Sequence, residues 1–142
     1  MQVDTILQSK GSAVITVAAD APISEAVAAL NRHRIGAVVV LSGTGAVAGI
    51  LSERDVVRNL GDNPAALLGR PVSDIMTTRV ITCAPMTAVA DLMEQMTRHR
   101  IRHIPIVEDG ALVGIVSIGD VVKRKIEEAE QEATALREYI AS

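Results

Sequence analysis

The stretch RHRIGAVVVL at Arg32–Leu41 is answered by RHRIRHIPIV at Arg98–Val107, and this echo decides the fold. A repeated basic tetrapeptide alone fits a nucleic-acid patch or a pair of catalytic His/Arg clusters as well as it fits a duplication. Only a duplication makes the flanks match too, and they do. At an offset of 66 residues, VITVAADAPISEAVAALN from Val14 aligns with VITCAPMTAVADLMEQMT from Val80. After a slip of one residue, GAVAGILSERDVV from Gly45 aligns with GALVGIVSIGDVV from Gly110. The slip falls at Ser42-Gly43-Thr44, which reads as a turn, where an extra residue is tolerated. VDTIL at Val3 echoes VSDIM at Val72. The chain is therefore read as two copies of a unit of about 65 residues, spanning 1–69 and 70–126, with a helical extension over 127–142.

Each unit predicts the same elements. A short strand (AVITV, RVITC) leads to a helix whose apolar residues recur at helical spacing: Ile23, Ala26, Val27 and Leu30, then Val89, Leu92, Met93 and Met96. Pro22 suits the first turn of the first helix, and Thr87 is the expected N-cap of the second. The RHR triplets fall at the helix C-termini, where the macrodipole favours cations. A β-rich run, a tight turn (SGTG, EDG), a returning strand and a final helix complete a β-α-β-β-α unit. This predicts an α/β (α+β) fold built twice over.

Composition narrows the function classes. The 142 residues suffice to bury a core, yet Phe and Trp are absent and Tyr139 is the only aromatic residue. Any bound base must therefore lie between aliphatic side chains. Cys83 is the only cysteine, which leaves no internal disulfide; it aligns with Val17 as a buried apolar position. The net charge is −3, and the basic residues form no stripe, against a nucleic-acid partner. No run of eighteen or more apolar residues suggests a membrane span, and the N-terminus lacks signal-peptide features, so a cytoplasmic location is expected.

GTGAVAG at Gly43 imitates a dinucleotide-binding glycine loop, but the residues that follow read as a strand, whereas that loop must open a helix. His99 and His103 stand four apart without a third ligand at metal-site spacing, so no metal site is expected. The stronger signal is SERD at Ser52 and SIGD at Ser117. Both place Ser and Asp three apart where a strand gives way to a helix. Structurally this is a capping box. Functionally, a hydroxyl and free N–H groups at a helix start favour a phosphate, and a carboxylate one turn on can accept both hydrogens of a ribose diol. No nucleophile–base or acid–base constellation occurs, so catalysis is not expected.

With VSDIMTTRVIT, RIRHIPIVEDGALVGIVSIGDVV and VAGILSERDVVRNL in order, nearly all of residues 1–126 resembles the tandem CBS-domain pair, or Bateman module, most of all its small stand-alone forms. The resemblance implies a pseudo-twofold sandwich of two three-stranded sheets, with two clefts between the copies. It implies adenosine-containing ligands: AMP, ADP, ATP or NAD(H), with S-adenosylmethionine less favoured and no obligatory cofactor. It assigns the ribose to Asp55 with Ser52 and to Asp120 with Ser117, the adenine border to Thr16 and Thr82, and phosphate contacts to Arg102 and His103. The first copy has Gly36 and Ala37 where the second has Arg102 and His103, and Arg54 where the second has Gly119. The clefts are thus expected to be unequal, with Ser52, Arg54 and Asp55 facing Arg102 and His103 in the more cationic one. The implied function is a regulatory sensor acting on an unidentified partner protein; the alternative is a ligand-free dimerisation or docking module.

In the tail, Val122, Ile126, Ala129, Ala133, Leu136 and Ile140 step by four and three, a seam of about two and a half heptads. It serves either to pack the helix on its own domain or to pair a homodimer, which the resemblance favours.

Overall fold

The computed structural model describes residues 1–142. The first long helix of each copy forms as the apolar spacing predicts. In α2 (Ile23–His33) the residues Ile23, Ala26 and Leu30 are buried, and in α5 (Val89–His99) Val89, Leu92 and Met96. Both end in the same way. Arg34 and Arg100 adopt the left-handed conformation, φ 51° and 54°, and their N–H groups return to Leu30 O and Met96 O. Ile35 and Ile101 donate to the same two carbonyls, closing a Schellman-type stop. The RHRI repeat is thus a helix terminus followed by the apolar residue that leads into the next strand. Pro22 sits at the N-cap rather than inside the first turn. Ala88, not Thr87, caps α5, because the Thr87 hydroxyl is engaged in the preceding turn, accepting from Ala84 N at 3.0 Å.

The first copy builds a three-stranded sheet. Strand β1 (Thr16–Ala18) runs parallel to β2 (Ala37–Leu41), which pairs antiparallel with β3 (Val47–Ser52). The second copy pairs β4 (His103–Glu108) with β5 (Ala111–Ser117), joined by Asp109-Gly110 with both φ values positive, the geometry that two-residue hairpins favour. Its expected first strand is absent. RVITC shrinks to one parallel bridge, Cys83 to Ile106, so the second sheet has two strands and not three. Two prolines explain this. In the first copy Val39 N donates to Ile15 O and Ala19 N to Leu41 O. The aligned donors in the second copy are Pro105 and Pro85, which have no N–H. Only the bonds between them survive: Cys83 N to Pro105 O at 3.2 Å and Val107 N to Cys83 O at 2.8 Å.

The two hydrophobic clusters cross the repeat boundary reciprocally. Val72 and Ile75, at the head of the second unit, bury with Val17, Ile23, Val38 and Leu51 of the first. Val3, Ile6 and Leu7 of α1 (Val3–Lys10) bury with Val89, Leu92, Ile104 and Val116 of the second. The hydrogen bonds match: Val3 N donates to Thr87 O, and Val72 N to Ala21 O. Each incoming segment presses on a strand at an aligned glycine. A Cβ on Gly114 would lie 2.6 Å from Leu7 Cδ2, and one on Gly49 would lie 2.7 Å from Met76 Sδ and 2.8 Å from Thr77 O. Leucine's terminal methyl groups can rotate away, whereas the Thr77 carbonyl is fixed by its ladder with Ile50. Gly49→Ala is therefore expected to destabilise by about 1–3 kcal/mol, and Gly114→Ala by less, as read by thermal melts.

Short α3 (Glu53–Arg58) and α4 (Pro64–Leu68) and a 3₁₀ turn at Val72–Asp74 lead from the first copy to the second. The last helix, α6 (Ile118–Ala141), runs unbroken for 24 residues. Val121 is buried in the second cluster, but every residue from Ala129 onward is exposed. The tail does not pack on its own domain.

Candidate functional site at the strand–helix junctions

Ser52 ends β3 and caps α3; Ser117 ends β5 and caps α6. At both junctions the extended backbone of the cap residue turns its side chain toward the N3 amide, and the aspartate reaches back to the cap N–H. Asp55 N lies 3.4 Å from Ser52 Oγ, and Asp55 Oδ2 accepts from Ser52 N at 2.9 Å and Ser52 Oγ at 3.1 Å. Asp120 N lies 3.2 Å from Ser117 Oγ, and Asp120 Oδ2 accepts from Ser117 N at 2.8 Å. The capping boxes read from SERD and SIGD are present, and each holds its aspartate against the cap residue.

The surroundings of the two carboxylates differ. No cation reaches Asp55; its carboxylate accepts only from Ser52, and Arg54 beside it is exposed and forms no ion pair. Asp120 is engaged by Lys10, whose Nζ lies 2.7 Å from Asp120 Oδ2 and donates to Ile115 O at 2.9 Å. Lys10 was not among the residues expected here. It arrives because α1 crosses to the second repeat. In the other half Thr77 N donates to Ile50 O, the carbonyl aligned with Ile115, so the Lys10 ammonium replaces a backbone donor and reaches the carboxylate as well. Burial pushes the Asp120 carboxyl up, but hydrogen bonds from Lys10 and Ser117 and the Lys10 charge prevail and hold it below its ordinary value.

His103 and Gly36, expected in opposite clefts, meet each other: a Cβ on Gly36 would sit 3.3 Å from His103 Cε1. Glycine leaves the room that the imidazole fills. The charged groups that act on that ring include Asp120, Lys10, Arg102 and, from the first junction, Glu53. Burial lowers the His103 pKa, Asp120 opposes the shift, and Lys10 and Arg102 add to it. The net shift favours the neutral imidazole. The cluster at the second junction is thus Lys10, His103, Ser117 and Asp120. Ala37 is buried at the start of β2, opposite Ser52. Arg102 is exposed and unpaired.

Thr16 is exposed on the outer strand of the first sheet. Thr82 lies elsewhere, on a cavity of about 440 Å³ with Ile81, Cys83, Thr87, Asp91 and Val107 and without either Ser–Asp pair. Burial and the Asp91 charge raise the Cys83 thiol pKa against a hydrogen bond with Thr87, so the thiol stays protonated. No group of three or more His, Cys, Asp or Glu side chains is placed to hold a metal ion, and no helix is long and apolar enough to cross a membrane.

The duplicated fold and its paired junctions coincide with a family pattern: the CBS domain matches twice, over residues 11–62 and 72–127. The chain belongs to the CBS-domain family. As a tandem CBS pair it is 36% identical to the mitochondrial CBS domain-containing protein CBSX3 of Arabidopsis thaliana, over 97% of this chain and 71% of that one. It is 35% identical to the CBS domain-containing protein YhcV of Bacillus subtilis, over 76% of each. Among solved structures, the CBS-domain containing protein ATU1752 of Agrobacterium tumefaciens superposes with a TM-score of 0.82 at 46% identity, covering 87% of this chain and 92% of that one. The CBS domain pair of protein MJ0100, solved in complex with 5-methylthioadenosine and S-adenosyl-L-methionine, superposes with a TM-score of 0.79 at 26% identity, covering 90% and 98%.

Proposed function

We propose that this CBS pair is a regulatory module that binds an adenosine-containing ligand at its strand–helix junctions and transmits occupancy to a partner protein. The observation that carries this reading is the Asp55 carboxylate, oriented by Ser52, free of any cation, and flanked by the unpaired Arg54. Such a group can accept a ribose diol while the guanidinium meets a phosphate. The adenosine derivatives bound by protein MJ0100 support the ligand class. Arg54 favours AMP, ADP, ATP or NAD(H) over S-adenosylmethionine, which carries no phosphate. The second junction binds less readily, because a ribose there competes with Lys10. The module acts by binding, with no obligatory cofactor and no turnover, as a cytoplasmic homodimer. Ligand occupancy selects among relative orientations of the repeats.

The second reading is a ligand-free docking module. The Lys10–Asp120 pair favours it, because one junction is already satisfied within the chain. Thermal melts with AMP, ADP, ATP, NAD⁺, NADH and S-adenosylmethionine, each at about 1 mM, separate the two. A ligand with a dissociation constant near 10 µM stabilises by about 2.7 kcal/mol, raising Tm by roughly 5–10 °C. No shift with any of the six supports the docking module.

A further inference from the structure

The tail of α6 presents an apolar seam with nothing packed on it. Val122, Ile126, Leu136 and Ile140 are 49%, 53%, 59% and 74% exposed. With Ala129 and Ala133 they form a continuous stripe through the helix. At about 100° per residue the stripe is centred roughly a quarter-turn from Val121, the residue that anchors α6 to the core. A partner helix can therefore lie along the tail without displacing the domain. In heptad terms Ile126, Ala133 and Ile140 occupy the a positions, and Val122, Ala129 and Leu136 the d positions. Ile126 and Ile140 at a with Leu136 at d suit two strands rather than three or four, the Ala129 and Ala133 layer adds little, and the direction is left to the flanking charges.

The flanking charges select both the occupant and its direction. One flank of the seam carries Lys123, Glu130 and Arg137, and the other carries Lys125, Glu132 and Tyr139. In a parallel, in-register pair of identical helices, each residue of the second flank faces the first-flank residue five positions on in the other helix. Lys125 then meets Glu130 of the second copy, and Glu132 meets Arg137. Twofold symmetry doubles both contacts, so every charged pair is attractive. In the fully overlapped antiparallel pairing, each flank faces itself: Lys123 meets Arg137, Glu130 meets Glu130, and Glu132 meets Glu132. Every charged pair is then repulsive. We infer that α6 pairs with α6 of a second copy of this chain as a parallel two-stranded coiled coil through Val122–Ile140. The inference rests on the homodimer proposed above and fixes its surface and direction; it is independent of the ligand reading.

The test combines sedimentation with disulfide trapping in the full chain carrying Cys83→Ala, so that introduced thiols are the only ones. The parent protein is expected to sediment as a dimer at tens of micromolar. Truncation after Lys125 should weaken the dimer at least tenfold. Lys125→Glu with Glu132→Lys, which makes all four flanking pairs repulsive, should weaken it by a similar factor. Adding Glu130→Lys and Arg137→Glu should restore it to within about threefold. Leu136→Cys should cross-link to itself on oxidation, because equivalent d positions meet in the parallel pair. The mixture of Ile126→Cys and Leu136→Cys proteins should not trap the heterologous cross-link. Trapping of that heterologous pair with no Leu136→Cys homodimer would mean antiparallel helices and overturn the inference while leaving the homodimer standing. Unchanged dimerisation after truncation would overturn the assignment to α6, and a monomeric parent would overturn the homodimer itself.

Discussion

A calorimetric titration of Asp55→Ala with AMP is expected to lose the tighter of the two binding events, while the protein stays folded. The wild-type carboxylate has one role within the chain, accepting the Ser52 amide and hydroxyl in the capping box. Removing it leaves the Ser52 N–H without its partner at a half-exposed helix start. The expected cost is about 0.5–2 kcal/mol, or a few degrees in Tm for a chain of this size. The loss of binding should be far larger. A ribose diol donates two hydrogen bonds to a carboxylate, and bonds of this charge-assisted kind contribute about 1.5–3 kcal/mol each, so the dissociation constant should rise more than a hundredfold. The same substitution thus separates the two functional readings. A docking module would show the small Tm loss and no ligand effect, because the wild type would bind none. Arg54→Ala sharpens the assignment: it should weaken AMP and leave adenosine unchanged, since it removes a phosphate contact and not a ribose contact.

The sequence makes the repeat, the helix stops and both capping boxes legible because each rests on local chemistry. Helical spacing fixes the buried faces of α2 and α5, and Ser-x-x-Asp fixes the helix starts. What it does not show directly is how the halves interlock. The pairing of VDTIL with VSDIM is visible, but it says only that the segments are equivalent, not that each crosses to the other repeat's core. That exchange decides which cation meets which carboxylate. It brings Lys10 to Asp120 and leaves Asp55 open, an asymmetry that the expected Arg54/Gly119 and Gly36/Arg102 differences do not contain. The missing strand of the second copy was legible in principle. Pro85 and Pro105 both stand where the first copy uses an N–H to bind its outer strand, but this matters only once the two registers are laid over each other. The setting of His103 is hidden for a related reason: its aligned position is Ala37, but its spatial neighbour is Gly36, and Glu53 of the first junction faces it along with Asp120 of the second.

Lys10→Met should convert the second junction into a second adenosine site. In the wild type the Lys10 ammonium engages Asp120 Oδ2 at 2.7 Å, so a ribose diol must displace it. Methionine keeps the length and apolar stem of the side chain on α1 while deleting the competitor. Because both partners are partly exposed, the pair itself contributes no more than about 1 kcal/mol to stability, and the fold should tolerate its loss. Adenosine affinity at this junction is expected to rise about tenfold, with the titration moving from one strong equivalent toward two. The acid limb should report the same change. The depressed Asp120 pKa means that its contribution is fully present above the ordinary aspartate range and is lost as pH falls through the lower folded value. Without Lys10 the carboxyl returns toward its ordinary value or above it, and the stability difference between variant and wild type should close on acidification. If Lys10 instead holds the phosphate of a bound nucleotide, Lys10→Met weakens AMP while sparing adenosine, and the ammonium is then a ligand contact rather than a competitor. A gain for adenosine together with a second equivalent is the outcome expected if the chain itself occupies one of its two ribose positions.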